Sequence, residues 1–275
     1  MKTMRMPLVI VGAIIAATFA SGQTVDTVFV GKQHTYTQVD NSTVSDVPGN
    51  PWGFHASVEG SGLSGETPSI TLAGGSGSTT FSYDAGDGEW KLESNYADST
   101  ALDAAYNSGS YSITILSQTI SVISLTGDSF PTAPLASLSG GTISGGVLTW
   151  NPNTALTITI GGSGIDHMGI YVFGQGYNNG AEGFGVSTQS FTVPAFSLTG
   201  GQSYTVELSF DDVVGGTEPF TFNGSGGMSS VSYAGAYTSQ TKFTIQAVPE
   251  PAAYAAILGA LTLVGAIVLR RRQLV

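Results

Sequence analysis

Three acidic side chains stand close together in the segment DAGDGEW and could ligate a cation. Asp84, Asp87 and Glu89 would supply the carboxylate oxygens that Ca²⁺ prefers. Their spacing departs from that of the EF-hand loop, whose acids stand two residues apart before its glycine. A Gly-Asp-Gly turn between two strands accounts for the same residues without a metal. We therefore assign no metal or other cofactor, and Ca²⁺ at these acids and an exposed hairpin turn stay open as alternatives.

Residues suited to nucleophilic or hydrolytic catalysis are not gathered in any motif. The chain has no cysteine, and His34, His55 and His167 are isolated in sequence. Only His167 has an adjacent acid, Asp166, and neighbouring residues of a strand point to opposite faces of its sheet. We expect the histidines to be exposed on strands and assign no catalytic residue. A secreted hydrolase with a site assembled across the fold is kept as an alternative.

The segment GQGYNNGAEGFG, residues 174–185, has the composition of a ligand-binding loop. Tyr177 and Phe184 have few apolar neighbours in sequence, and an exposed aromatic ring can stack against a sugar ring. Asn178 and Asn179 would donate and accept hydrogen bonds at the sugar hydroxyls. This segment is the predicted carbohydrate contact, with a mobile loop that binds nothing as the alternative.

Strands must position these side chains, because apolar and polar residues alternate along most of the chain. The row Tyr204, Val206, Leu208 and Phe210 alternates with Thr205, Glu207 and Ser209, which predicts one buried and one solvated face. Turn residues separate such runs at short intervals, as in β-sandwiches. One short helix is predicted from Ser99, as its N-cap, to Tyr106. The predicted fold class is all-β, with antiparallel sheets.

Two β-sandwich-like domains are predicted, joined near the prolines of SFPTAP. The first is residues 23–130 and the second residues 131–247. In the second, LTGGQSYTVELSF resembles the tyrosine corner of immunoglobulin-like domains, in which the hydroxyl of a tyrosine at a strand start, here Tyr204, bonds back to the chain. The first half contains a weaker echo of this pattern at Tyr111. A single continuous sandwich and a β-solenoid are the alternatives.

Charge excludes one class of partner. Residues 23–251 contain three lysines, no arginine and all 19 acidic residues, which gives a formal charge of −16. Nucleic-acid binding depends on neutralising phosphates with lysine and arginine, so nucleic acid is not an expected partner.

The N-terminus has the pattern of an export signal. Lys2 and Arg5 precede an apolar run of 13 residues, 7–19, and the small residues Ala20, Ser21 and Gly22 follow. The run is too short to span a bilayer comfortably. Residues 1–22 are therefore predicted to be a signal peptide that is removed.

The C-terminus, residues 248–275, has the pattern of a membrane-inserted tail. The uncharged run 252–269 has 18 residues, which as a helix would span roughly 27 Å of the ~30 Å hydrocarbon core. Arg270, Arg271 and Arg272 follow it and predict a cytoplasmic C-terminus. Before the run, Pro249 and Pro251 keep the chain around Glu250 extended, which suits recognition by a processing enzyme.

This order of Pro-Glu-Pro, apolar helix and arginine cluster resembles the sorting signal of PEP-CTERM proteins. The resemblance covers residues 248–272 and implies export in a Gram-negative bacterium, insertion in the inner membrane through the C-terminal helix, and recognition by an exosortase. It also implies association with extracellular polysaccharide or biofilm matrix. The expected function is that of a non-enzymatic cell-surface or matrix protein, with a carbohydrate-binding module protein as the alternative. An ordinary single-pass anchor is the alternative for the tail.

Overall fold

The computed structural model describes residues 23–75, 77–126, 129–221 and 228–248. Strands dominate these residues, which confirms the predicted β class. The elements of the first half are β1 (Thr27–Gln38), β2 (Val44–Asp46), β3 (Trp52–Glu59), β4 (Ser69–Thr71), β5 (Ser78–Thr80), β6 (Ser82–Asp84), β7 (Glu89–Tyr96), α1 (Ser99–Ala105), β8 (Gly109–Ile115) and β9 (Gln118–Leu125), with short 3₁₀ turns at Leu63–Gly65 and Ala73–Gly75.

The second half contains strands throughout its described part. They are β10 (Ser137–Leu138), β11 (Ile143–Ser144), β12 (Val147–Trp150), β13 (Leu156–Gly161), β14 (His167–Gly174), β15 (Tyr177–Phe184), β16 (Thr188–Val193), β17 (Ser203–Thr221) and β18 (Met228–Ala247).

The chain forms two compact units, which are discontinuous in sequence. Unit 1 contains residues 23–35, 47–132 and 211–239, and unit 2 contains residues 36–46, 133–210 and 240–248. The predicted domain ranges were contiguous, whereas each observed unit includes a segment from the range predicted for the other. The units are discontinuous in sequence because three strands are long: β1, β17 and β18 each contribute residues to both units.

Unit 1 consists of two sheets and one helix around a shared core. One sheet has the strand order β18-β1-β3-β7-β6 and the other the order β5-β4-β8-β9. Alternate residues of β3 and β8 are buried, as the period-two pattern predicts. The core draws on both sheets and includes Val28, Val30, Phe54, Ala56, Val58, Ile70, Tyr111, Ile113, Ile115, Ile120, Ile123 and Leu125.

Helix α1 is held to unit 1 by its cap, its apolar face and an ion pair. Asp98 is the N-cap, because its Oδ1 accepts a hydrogen bond of 2.8 Å from the Ala101 N–H; the predicted cap, Ser99, is the first helical residue. Leu102 is fully buried, and Asp103 binds the ammonium of Lys32 on β1. The ring of Tyr106 stacks on Phe54 with 3.7 Å between centroids.

Unit 2 also has two sheets around one core. Its larger sheet has the order β15-β14-β17-β18 and its smaller sheet the order β10-β13-β16. Strand β12 pairs with β18 in parallel, with Leu148 opposite Ile245, so the predicted purely antiparallel pairing is wrong at this edge. The core includes Leu148, Leu156, Ile158, Ile160, Met168, Ile170, Val172, Val193, Val206, Leu208, Phe210, Phe243 and Ile245.

The tyrosine-corner hydrogen bond predicted at Tyr204 is confirmed. Tyr204 is the second residue of β17 and is 2% exposed, and its hydroxyl accepts a hydrogen bond of 2.7 Å from the Thr199 N–H. In unit 1, Tyr111 on β8 makes a corresponding bond in the opposite sense, because its hydroxyl donates to the Asn107 carbonyl. Each unit thus fixes the chain before a core strand with a buried tyrosine.

Two of the three residues in the polar row of β17 are buried, which corrects the prediction that this row faces water. Glu207 and Ser209 are 3% and 0% exposed. Glu207 lies 3.2 Å from the Lys242 ammonium on β18. Strand β17 lies between β14 and β18, and a central strand can be covered on both faces, so alternation alone did not identify the solvated side.

Candidate ligand surfaces

The glycine-rich segment predicted to be a ligand loop is a β-hairpin. Strands β14 and β15 pair along their full length, from His167 opposite Phe184 to Gly174 opposite Tyr177. Gln175 and Gly176 form the two-residue turn with φ of 48° and 82°, both in the left-handed region that tight hairpins require. The glycines of this segment therefore form a strand and its turn.

The four predicted ligand residues do not converge on one surface. Tyr177 and Phe184 stand at opposite ends of the eight-residue strand β15. Asn178 and Asn179 are exposed but adjacent, so their side chains point to opposite faces. Asn179 also accepts a hydrogen bond of 2.9 Å from the Gly180 N–H. The predicted carbohydrate contact therefore has no common face at these residues.

Tyr177 is a packing residue of unit 2. It is half-buried against the core and meets Tyr204 edge-to-face, with 6.3 Å between ring centroids and an angle of 88°. Burial raises the pKa of its hydroxyl, and Ser197 and Asn179 partly offset that rise. Part of this ring therefore packs inside unit 2, and the remainder is exposed.

Phe184 covers a buried histidine at the other end of the hairpin. Its ring lies 4.5 Å from the His167 imidazole, centroid to centroid, and Phe184 is 45% exposed. His167 is fully buried and His34 is 7% exposed, so the expectation of exposed strand histidines is wrong for both. His34 stacks on Trp52 at 3.6 Å between centroids in unit 1.

His167, Tyr171 and Glu182 form a polar cluster across β14 and β15, the His-Tyr-Glu cluster. The Tyr171 hydroxyl donates to Glu182 Oε1, and His167 Nε2 lies 3.8 Å from Glu182 Oε2. Gly169 and Gly180 leave room for the Tyr171 ring, since a Cβ at either position would come within 2.8 Å of that ring. Burial of His167 under Phe184 shields the imidazole from a substrate.

Sequence reasoning missed this cluster because its members are 11 and 15 residues apart. Asp166 is the only acid next to His167 in sequence, but the carboxylate that lies near His167 belongs to Glu182 on the paired strand β15. Had the Gln175-Gly176 turn been recognised, the register of the hairpin would have placed Glu182 diagonally from both His167 and Tyr171.

The predicted calcium acids surround a lysine. Asp84 and Asp87 accept hydrogen bonds of 2.7 Å and 3.0 Å from the Lys91 ammonium, and Glu89 lies 3.6 Å from it. Residues 85–88 form the turn between the paired strands β6 and β7, so the backbone here is the hairpin turn that was the alternative to a calcium site. Among the described residues, no group of three or more acids and histidines is arranged to hold a metal ion. A Ca²⁺ ion here would have to displace Lys91.

Both termini carry predictions that the structure does not address. The signal peptide, residues 1–22, lies outside the described residues. So do the sorting residues Pro249, Glu250, Pro251, Arg270, Arg271 and Arg272 and the helix 252–269. In the part of the chain that is described, no helix is long and apolar enough to cross a bilayer.

The smaller sheet of unit 1 presents a face made of serine and threonine. Thr80, Ser69, Thr114 and Thr119 lie opposite one another in one row across four strands. A second row contains Ser78, Thr71 and Ser112. The Ser/Thr face of unit 1 comprises Ser69, Thr71, Ser78, Thr80, Ser110, Ser112, Thr114, Thr119 and Ser124, all exposed or half-buried.

The smaller sheet of unit 2 has a face of the same kind. Thr157 lies opposite Thr192, and Thr159 lies between Ser137 and Ser190. The hydroxyls of both β13–β16 pairs are hydrogen-bonded, at 2.9 Å and 2.8 Å. The Ser/Thr face of unit 2 comprises Ser137, Thr157, Thr159, Thr188, Ser190 and Thr192. No member of either face is charged.

One exposed aromatic residue of unit 2 has a strained backbone. Phe196 is 73% exposed and has φ of 64°, in the left-handed region that bulky residues rarely adopt. Its N–H donates to the Pro152 carbonyl at 2.6 Å. This places an aromatic ring in solvent beside the turn at Asn151, a feature that the sequence pattern did not indicate.

Comparison with known proteins identifies no family. No protein-family model matches the chain, and no curated protein matches it significantly. The solved complex of Dpr2 Ig1-Ig2 with DIP-Theta Ig1-Ig3 contains a chain that is 11% identical, with 78% of this chain and 98% of that chain covered and a TM-score of 0.23. A Ca²⁺-stabilized, ice-binding adhesin of an Antarctic bacterium is 14% identical over 82% of this chain and 50% of its own, with a TM-score of 0.22. Chicken CNTN1 FN1-FN3 is 12% identical over 74% and 65%, with a TM-score of 0.19. Likenesses this weak carry no inference about function.

Proposed function

We propose that this chain is an exported, non-enzymatic protein of the cell surface or extracellular matrix, sorted by its C-terminal tail. The observation that carries the proposal is the order of Pro249, Glu250 and Pro251, the apolar run 252–269 and three arginines. That order combines an extended recognition site, a membrane helix and a cytoplasmic charge anchor. An exosortase-type enzyme is the proposed partner at this tail, in the inner membrane of a Gram-negative bacterium.

The body of the chain suits work outside the cell. It contains no cysteine, so its stability does not depend on a redox compartment. Each unit instead buries its own apolar core between two sheets. We interpret both units as β-sandwiches, and unit 2 as immunoglobulin-like or fibronectin type III-like, because Tyr204 makes the tyrosine-corner bond. Such units serve as spacers or adhesive modules.

Substitution of the tail tests the sorting proposal in the native host. The triple variant P249A/E250A/P251A should remain in the inner membrane, because the processing site is lost while the helix still inserts. R270A/R271A/R272A should lose the fixed orientation that cytoplasmic arginines impose. The readout is the distribution of the protein between inner membrane and cell surface. N178A/N179A, two exposed positions on β15, is the control and should distribute like the wild type. Arrival of the first triple variant at the surface in wild-type amounts would contradict the proposal.

A carbohydrate-binding function is the second candidate, and the two Ser/Thr faces favour it. They offer uncharged hydrogen-bond donors and acceptors in regular rows, and a sugar polymer likewise carries repeated uncharged hydroxyl groups. Retention of the full-length protein on polysaccharide tests this candidate, and the faces rather than the predicted loop are the place to look for the contact.

A further inference from the structure

We propose that the Ser/Thr faces of unit 1 and unit 2 bind a neutral polysaccharide through repeated hydroxyl contacts. This inference rests on the proposed function, which brings the protein into the extracellular matrix. It assigns the ligand class to two faces at which the sequence pattern indicated no site.

Regular spacing is the first argument. In unit 1, Thr80, Ser69, Thr114 and Thr119 occupy consecutive strands, about 4.8 Å apart in the hydrogen-bonding direction. Along each strand the outward positions repeat every second residue, or about 6.7 Å. The face is therefore a two-dimensional array of hydroxyl groups, and a polymer with repeating hydroxyls can meet such an array at many points.

Unused hydrogen-bonding capacity is the second argument. Oγ1 of Thr114 lies 3.0 Å from Oγ1 of Thr119, and the pair Thr157 and Thr192 is 2.9 Å apart. In each pair one hydroxyl donates to the other, which leaves one O–H and several lone pairs of the pair available for further hydrogen bonds. These mutual bonds also orient the side chains before a ligand arrives, which reduces the entropy lost on binding.

Absence of charge selects a neutral ligand. All fifteen residues of the two faces are serine or threonine, although the region 23–251 has a formal charge of −16. An anionic polysaccharide would be repelled by that charge and would find no lysine or arginine on the faces. A neutral sugar hydroxyl both donates and accepts, like the serine and threonine hydroxyls that face it.

Each unit contributes a face of its own, and each face can contact the polymer independently of the other. A hydrogen bond exposed to water contributes little by itself, so one face alone would bind weakly. A second face increases the number of hydroxyl contacts that one chain can offer. Removal of the hydroxyls from one face should therefore weaken binding, and removal from both should weaken it further.

Valine substitution in the full-length, detergent-solubilised protein tests the inference. T114V/T119V alters unit 1, T157V/T192V alters unit 2, and a fourfold variant combines them. Valine preserves side-chain shape and strand preference but lacks the hydroxyl. T126V/T132V, at two exposed positions outside both faces, is the matched control. Circular dichroism and the urea midpoint check folding, and binding isotherms are measured on cellulose, curdlan and dextran beads, all neutral, and on anionic alginate beads.

We expect the wild type to bind at least one neutral polymer and to pass through alginate. The fourfold variant should bind that polymer about tenfold more weakly, each twofold variant should lie between, and the control should equal the wild type. Free oligosaccharide of the bound polymer should elute the wild type, a readout that does not depend on any variant folding. Failure of the wild type to bind any neutral polymer, equal retention on alginate, or wild-type binding by a folded fourfold variant would overturn the inference. Since the protein is purified, this result is independent of export, and a failure of sorting in the host would contradict only the proposed function.

Discussion

Units 1 and 2 share their surface design but differ in the polar groups that they bury. Each unit has a small sheet with a Ser/Thr face, and each has a buried tyrosine near the start of a core strand, Tyr111 in unit 1 and Tyr204 in unit 2. Inside, unit 1 buries the Lys32 ammonium against Asp103, whereas unit 2 has the His-Tyr-Glu cluster, in which His167 and Tyr171 are buried and Glu182 is partly exposed. The first pair joins residues 71 apart, and the cluster lies within the β14–β15 hairpin.

The shared surface features are general to the β units of this chain, whereas the buried polar groups are specific to one unit. A strand-start tyrosine and a solvated face can recur wherever the local sequence recurs. Lys32 and Asp103 are 71 residues apart, and their pairing joins α1 to β1 in unit 1. The buried polar groups are therefore where the two units should respond most differently to substitution.

The largest expected effect comes from D103A in unit 1. It would leave the fully buried Lys32 ammonium without its carboxylate, and unfolding free energy should fall by about 3 kcal/mol. D87A, which removes one of the two exposed carboxylate partners of Lys91, is the control and should cost no more than about 1 kcal/mol. Urea unfolding measures both.

A double variant checks that interpretation. K32M/D103L replaces both charges with apolar side chains and should be nearly as stable as the wild type, because no buried charge is left unpaired. Equal losses of unfolding free energy for D103A and D87A would show that the buried Lys32–Asp103 pair stabilises unit 1 no more than an exposed ion pair does.

Removal of the hydroxyl from Tyr204 or from Tyr111 should lower the unfolding free energy by different amounts, and this difference should be smaller than that between D103A and D87A. Y204F leaves the Thr199 N–H without its acceptor and should lower the unfolding free energy by about 1.5 kcal/mol. Y111F leaves the Asn107 carbonyl without a donor and should cost about half as much, because a carbonyl that lacks a partner is tolerated better than an N–H that lacks one. Y83F, at an exposed tyrosine, is the control in the same urea titration. A larger loss for Y111F than for Y204F would reverse the comparison.

Alkaline pH should affect unit 1 through Tyr111. Burial raises the pKa of this hydroxyl above its ordinary value of 10.0, and nearby Tyr237, Asp103 and Tyr106 add to the rise. The folded state thus favours the neutral phenol, so this contribution to stability is complete below about pH 10 and is lost as the pH rises above that value. Unfolding free energy measured from pH 8 to 12 should fall less steeply in Y111F than in the wild type, and parallel curves would exclude this role.

A small effect of the opposite sign is expected at Phe196, in the loop before the Tyr204 corner. Because its φ of 64° suits glycine, F196G should stabilise the protein by about 1 kcal/mol. G185A, which puts a side chain at another left-handed position, φ 61°, should do the reverse in the same calorimetric scan. Destabilisation by F196G would mean that the ring makes a favourable contact.

Local signals in the sequence predicted local structure well. The strand that contains Tyr204, the short helix near Ser99 and the Tyr204 bond all depend on neighbours within a few residues, and all are confirmed. Glu207 and Ser209 were placed toward water because alternation identifies two faces but not whether both are covered.

The candidate site was less predictable, because it depends on register between strands. Tyr177 and Phe184 were grouped since they are near in sequence, but they occupy opposite ends of β15. Glu182 reaches His167 only through the hairpin pairing. The Ser/Thr faces are also invisible along the chain, because each row takes one residue from each of several strands.

The intact mass of the protein released from the cell surface tests the central claim most directly. The account predicts a chain that begins at Gln23 and has lost everything after the VPEP region, with or without an added group at the new C-terminus. A surface protein that retains residues 252–275 would reduce the tail to a simple anchor, and a full-length chain recovered from the cytosol with residues 1–22 intact would contradict export altogether.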